Sequence, residues 1–259
     1  MISARRVWGF MYRDFKDWLK YKYELFFWLL NTLVGALTYA YLGTSVLLKR
    51  PELLERCGSF LSFIVVGMAY TYVIYASIAA PGEAINPWNL MWNLLVPANL
   101  LEVVLGSVLF RYILGIAQFL IYMLVATAFG VKFNVNIPST VAAFALGTLI
   151  MWSLGMVSAG VQVVTKRWDP VTWFFTMLGS FLSGVWFPYQ LLPPYLQALS
   201  RVMLQTYILE MLRAAMLRGE PLTDLVELLT PLLVTATLLF AVGSLVYVKS
   251  IEYAKERGI

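Results

Sequence analysis

Apolar residues along this chain gather into six long runs, at 25–48, 58–80, 103–129, 140–164, 171–187 and 228–248, separated by connections of 6 to 40 residues. A hydrocarbon core of about 30 Å needs about 20 helical residues to cross it. Five runs reach that length, and the fifth is marginal because Pro188 stops it. Asp and Glu occur in the runs at most at an edge, and Arg111, Gln118 and Gln162 are the strongly polar exceptions. In lipid every backbone N–H and C=O must find its partner inside its own segment, so the runs predict helices. The predicted fold is an all-α integral membrane protein, one permease-like domain over 1–259 with six transmembrane helices.

Three segments outside the runs carry their own pattern. In 1–24, Val7, Phe10, Met11, Phe15, Trp18 and Leu19 recur at helical spacing, while Arg6, Arg13, Asp14, Lys16, Asp17 and Lys20 fall largely on the other face. Such a helix can lie in the headgroup region. It fits a generic anchor for the first span, and equally an interface helix that also touches a cytoplasmic partner. Between runs two and three, Asn86 before Pro87 reads as an N-cap with proline at the first helical position. A short apolar helix carrying Trp88, Met91 and Trp92 then ends before Pro97. It must bury against the membrane surface or a partner protein. In 188–217, Pro188, Pro193 and Pro194 break the chain, and 195–217 then reads as a helix carrying Arg201, Glu210 and Arg213. That helix is too charged for an ordinary span and too apolar for a solvated loop. The pattern predicts a re-entrant hairpin, against the alternative of a helix flat on the outer surface. Glu210 and Arg213, three apart, are neighbours on one helical face and could pair.

Composition agrees with the membrane assignment: 61% of residues are apolar and mean hydropathy is +0.76, against roughly 45–50% apolar in soluble domains. The net charge of +5 matters less than its placement. Arg5, Arg6, Arg13, Lys16, Lys20 and Lys22 precede the first span, which puts the N-terminus in the cytoplasm. Six spans return the C-terminus to the same side of the cell membrane. Basic residues are otherwise scattered with no concentrated stripe, which argues against nucleic acid as a partner. Histidine is absent, which excludes Ser/His and Cys/His catalysis and His-ligated metal sites, and Cys57 stands alone. No cleavable signal peptide is expected, because a full-length span follows the cationic start.

These features in this order resemble the membrane subunit of the type-2 ABC transporter (ABC exporter permease) family. The most specific match is Ser183-Gly184-Val185-Trp186-Phe187-Pro188 followed by Leu191-Leu192-Pro193-Pro194-Tyr195-Leu196-Gln197. It is similar to the family's small-Gly-aromatic-Pro and Leu-Pro-Pro-aromatic-Leu-Gln segment. Thr206-Tyr207 through Glu210 to Arg213, and Leu94-Leu95-Val96-Pro97 with Leu101-Glu102 and Leu105-Gly106, resemble two further family segments. Leu90-Met91-Trp92-Asn93 stands where the family has Gly-Thr-Leu-Glu, and Met203-Leu204 where it often has Asn-Pro. The second departure implies a less bent return helix.

The resemblance implies a transport subunit without chemistry of its own. No Gly-x-x-x-x-Gly-Lys-Ser/Thr phosphate loop is present, so ATP and Mg are expected on a separate ABC ATPase subunit, in two copies. A second permease copy, as a homodimer, would complete the path, and no cofactor, metal or catalytic residue is expected in this chain. Asn86, Pro87, Trp88, Met91, Trp92 and Pro97 would form the ATPase-coupling helix, and Arg6, Phe10, Arg13 and Trp18 would mark the interface helix. Gly184, Phe187, Pro188, Pro193, Pro194, Glu210 and Arg213 would form the re-entrant gate. Tyr39, Tyr72, Trp173 and Trp186 are the candidate path lining, although aromatics in spans more often pack against neighbours or sit in interfacial belts. The expected cargo is a glycan, a lipid or an amphiphilic drug. The alternative is a stand-alone channel or secondary carrier, although no cluster of intramembrane acids marks a proton or cation relay.

Overall fold

The structure, a computed structural model, describes residues 3–47, 60–84, 100–165 and 169–256. Among these residues all regular structure is helical. Five helices are long and apolar enough to cross a membrane, which makes this a multi-pass membrane protein. The elements are α1 Ala4–Lys20, α2 Lys22–Leu47, α3 Phe60–Ala84, α4 Leu100–Ala128, α5 Ile137–Thr165, α6 Pro170–Leu182, α7 Pro194–Val202, α8 Leu204–Arg213 and α9 Val226–Glu256. The long ones are α2, α3, α4, α5 and α9.

α3 is the centre of the bundle. Every residue from 61 to 70 is buried, and the side chains of Tyr70, Val73, Ile74 and Ile78 are fully enclosed. α4 and α5 pack along it, α2 lies against α3 and α4, and α9 lies against α5. Lipid tails are as apolar as these side chains, so close approach of small residues replaces the hydrophobic drive between spans. α2 follows that rule, since among the described side chains the ones it buries are Thr32, Ala36 and Ala40, four apart on one face. On α5, a Cβ at Gly155 would come within 2.4 Å of the Ile78 carbonyl oxygen, so only glycine allows the α3–α5 contact. A Cβ at Gly243 of α9 would come within 2.6 Å of the Ser153 carbonyl oxygen.

One end of the bundle holds α1, the last turns of α3, α5 and α9, and the first turns of α4 and α6. There Gly106 of α4 touches Phe10, Gly82 touches Gln162, and Gly160 touches Ser250. The far end holds the first turn of α3 and the junctions α4–α5 and α8–α9, where the Asn136 N–H donates to the Ala215 carbonyl at 2.8 Å.

The fifth predicted run differs from the expected span. Its helix, α6, stops at Leu182 rather than at Pro188, and residues 174–178 widen into a π-helical turn. Gly184 ends it, at φ +77°, a left-handed backbone that glycine adopts without strain. At about 1.5 Å per residue α6 is too short to cross a bilayer alone.

The expected less bent helix over 195–217 is also corrected. The chain breaks at Met203, which is extended at φ −74°, ψ 119°. The break is satisfied locally: the Met203 N–H and the Thr206 hydroxyl both donate to the Ser200 carbonyl, at 3.1 and 2.8 Å. The Tyr207 hydroxyl donates to the Arg201 carbonyl at 2.7 Å. α7 is left with Tyr195, Leu199 and Val202 exposed, whereas α8 is buried along most of its length.

Candidate functional site

At the α1 end, the amphipathic helix is docked rather than free. Val7 and Phe10 cross α4 at Gly106, where a Cβ would come within 2.6 Å of the Phe10 Cβ. The Ser3 N–H donates to Glu102 Oε1 at 2.7 Å, and Arg6 Nη1 lies 3.4 Å from Oε2. Ser107 Oγ donates to Asp14 Oδ2 at 2.6 Å. Trp18 meets Trp28 and Phe110 edge-on, with centroids 5.5 and 6.2 Å away. Of the predicted interface residues, Phe10 and Trp18 therefore face α4, and Arg6 reaches the buried Glu102 carboxylate. Arg13 pairs with its neighbour Asp14 and lies over the Phe10 ring. Glu102 and Gly106, which carry part of the family resemblance, also seat α1, a role that is not legible in the sequence. Asn86, Pro87, Trp88, Met91, Trp92 and Pro97 lie outside the described residues.

Beside this lies a node that sequence reasoning also missed. Asp169 caps α6, accepting the Thr172 N–H at 2.9 Å. It also accepts the Ser158 hydroxyl and, at 2.6 Å, Gln162 Nε2, both from α5. Gln162 in turn fills the space against Gly82 in the last turn of α3. One carboxylate thus ties α5 to α6 at the foot of α3. Partial burial pushes the Asp169 carboxyl upward, but the hydrogen bonds from Ser158, Thr172 and Gln162 outweigh it and hold the group below its ordinary value. Gln162 in an apolar run, followed by Asp169-Pro170, was the available signal.

At the far end, Arg213 organises the break after α6. Its Nη2 donates to the carbonyls of Gly184 at 2.9 Å, Val185 at 3.3 Å and Phe63 at 3.2 Å, and its guanidinium carbon lies 3.4 Å from the Phe63 ring centroid. A turn leaves carbonyls that a continuing helix would have satisfied, and the amino group of Nη2 reaches two of them. The pair with Glu210 is not formed: Glu210 is exposed, while Arg213 is buried and points to the turn. Trp186 Nε1 donates to Met68 Sδ at 2.9 Å. Phe187 meets Phe181 edge-on. Pro188 precedes a 3₁₀ turn, Tyr189–Leu191, and Pro193 precedes α7, whose first residue is Pro194. Gln197 Nε2 closes the proline turn by donating to the carbonyls of Gln190 and Leu192.

α8 starts deep. Gln205 Nε2 donates to the Phe175 carbonyl at 2.9 Å and lies 3.9 Å from Met151 Sδ, halfway along α5. Ile208 then meets Gly147, and Ala215 meets Asn136 at the far end. The candidate path aromatics do not form one wall. Tyr39 and Tyr72 lie between α2, α3 and α4, with the Tyr72 hydroxyl 2.9 Å from that of Tyr122. Trp173 is 55% exposed on α6, and Trp186 packs on α3. Among the described residues no cluster of three potential metal ligands occurs. No protein-family model and no curated protein matches the chain.

Proposed function

We propose that the chain is the membrane permease subunit of an ATP-driven ABC exporter, working with two copies of a separate ATPase and a second copy of itself. The observation that carries the reading is the course of residues 183–213. The stretch that holds the family resemblance turns at Gly184 beside α3 and then dips, so that α8 starts level with the middle of α5. That course supports a re-entrant hairpin of α7 and α8, with α6 and its turn making the sixth passage. Irregular backbone at membrane depth survives where protein covers it, and Arg213 supplies that cover. In this reading both termini are cytoplasmic, and the α1 end faces the ATPase. Force from the ATPase enters through residues 86–97 and α1. It passes through the α3–α5–α6 foot that Asp169 holds, and it opens a path by rigid-body tilting. The cargo is a glycan, lipid or amphiphilic drug.

The test is co-purification of the full chain from native membranes. An ATPase should accompany it, and replacing Trp88, Met91 and Trp92 with Asp should release that subunit and abolish ATP-dependent transport. A chain that carries no ATPase and transports or conducts without ATP would instead be a channel or secondary carrier.

A further inference from the structure

The contact with α4 uses only part of the surface of α1. Val7, Phe10, Met11, Asp14 and Trp18 lie on the face toward α4. Trp8, Tyr12, Phe15 and Leu19 follow one another at steps of four, three and four, so they form a second row, roughly a third of a turn away. All four are exposed, Trp8 at 65%. Farther round, on the side away from α4, lie Arg5, Lys16 and Lys20, also exposed. Lys16 Nζ sits 4.8 Å from the centre of the Tyr12 ring and bridges the aromatic and cationic rows.

Of these three cations Lys20 is paired within the helix, and its acids leave the charge of Arg5 and Lys16 uncancelled. Asp14 is turned toward Arg13 and Ser107, and Asp17 is held by Lys20 at 2.6 Å. The level of the face is fixed by its neighbours. α2 begins after a single residue, Tyr21, and Phe15 and Trp18 rest on Phe110 of α4. The aromatic row therefore lies level with the starts of two spanning helices, and the cations lie on its side away from α4.

We propose that this face of α1 binds anionic phospholipid, with Trp8, Tyr12, Phe15 and Leu19 among the first acyl carbons and Arg5 and Lys16 on headgroup phosphates. A zwitterionic bilayer satisfies the aromatic row, but the uncancelled cations select net negative charge. Lipid is the occupant because the surface adjoins the first turns of two spans, where bilayer already surrounds the protein. The inference needs only the membrane-spanning fold and holds or falls independently of the exporter reading.

The experiment incubates the full chain in detergent with equal amounts of phosphatidylglycerol and phosphatidylcholine and measures retained lipid by mass spectrometry. The wild type should retain phosphatidylglycerol several-fold over phosphatidylcholine. Arg5→Gln with Lys16→Gln should lower that ratio several-fold, since each basic residue at the surface contributes a several-fold preference. Arg5→Lys with Lys16→Arg should keep it. Lys132→Gln, an exposed cation on the α4–α5 connection, should leave it unchanged. Equal retention of the two lipids by the wild type, or an undiminished ratio in the Gln double variant, overturns the proposal and leaves the face to a protein partner. These exposed substitutions leave the packed surface of α1 intact, so elution as a single folded species separates lost binding from lost fold.

Discussion

Arg213 shows how a charged side chain is accommodated at depth in this bundle. Its hydrogen bonds go to backbone carbonyls of two elements, Phe63 in α3 and Gly184 and Val185 in the turn after α6. Hydrogen bonds from a charged donor are worth about 1.5–3 kcal/mol. Arg213→Ala should therefore destabilise the protein in detergent by about 3 kcal/mol, read as a lowered unfolding midpoint. Arg213→Lys should recover only part, because an ammonium lacks the planar guanidinium that lies over the Phe63 ring. Glu210→Ala should change stability by less than about 0.5 kcal/mol and should not rescue Arg213→Ala; rescue would mean that the two side chains pair after all. Asp169 makes a second prediction with a pH sign. Its carboxyl is held below its ordinary value of 3.8. Its stabilisation is therefore complete above that pH and is lost as pH falls through the lower folded value. Asp169→Ala should cost about 1 kcal/mol, by an amount constant from neutral pH down to about pH 5 and shrinking below about pH 4. A cost that persists undiminished in acid would place the role of Asp169 in packing rather than charge.

At the scale of the element, the long spans were legible because hydropathy alone decides them. The run 58–80 became Phe60–Ala84, and 140–164 became Ile137–Thr165. The amphipathic spacing of 1–24 gave α1. Which of its faces turned inward was not legible, because both candidate rows are apolar and the choice depends on Gly106 and Glu102, about a hundred residues away. The misread elements fail for a related reason. α6 ends at a glycine whose φ of +77° no hydropathy pattern encodes, and its turn is stabilised by an arginine 28 and 29 residues later. The break at Met203 carries neither glycine nor proline, and its signal was the Ser200 and Thr206 pair that bonds around it. The docking of α1 gives the element-scale prediction. Gly106→Leu would force side-chain atoms into Phe10 and the backbone at Val7 and Met11. The amides of α1 should then exchange with solvent at least about tenfold faster, while those of α3 and α5 keep their protection. Unchanged exchange in α1 would mean that its contact with α4 contributes nothing.

At the scale of the molecule, the described residues form a core helix, α3, wrapped by α4 and α5, with α2 and α9 as outer members whose described side chains bury one narrow stripe each. α1 and the end of α9 lie at the same end of the bundle. In a Cys57→Ser background, Ser3→Cys and Glu256→Cys should react with an impermeant thiol reagent from one side of the membrane and Lys132→Cys from the other. Labelling of positions 3 and 256 from opposite sides would remove the sixth passage and with it the permease reading. The bond between the Ser3 N–H and Glu102 has a consequence for how the chain is made, because its partners are 99 residues apart. A ribosome adding about 5–20 residues per second needs about 5–20 s to cover that interval. For that time the first helix exists without its seat, and the nascent chain can hold it only at the membrane surface. Its final position is set when α4 enters the bilayer, so α1 is fixed in place well after it is made.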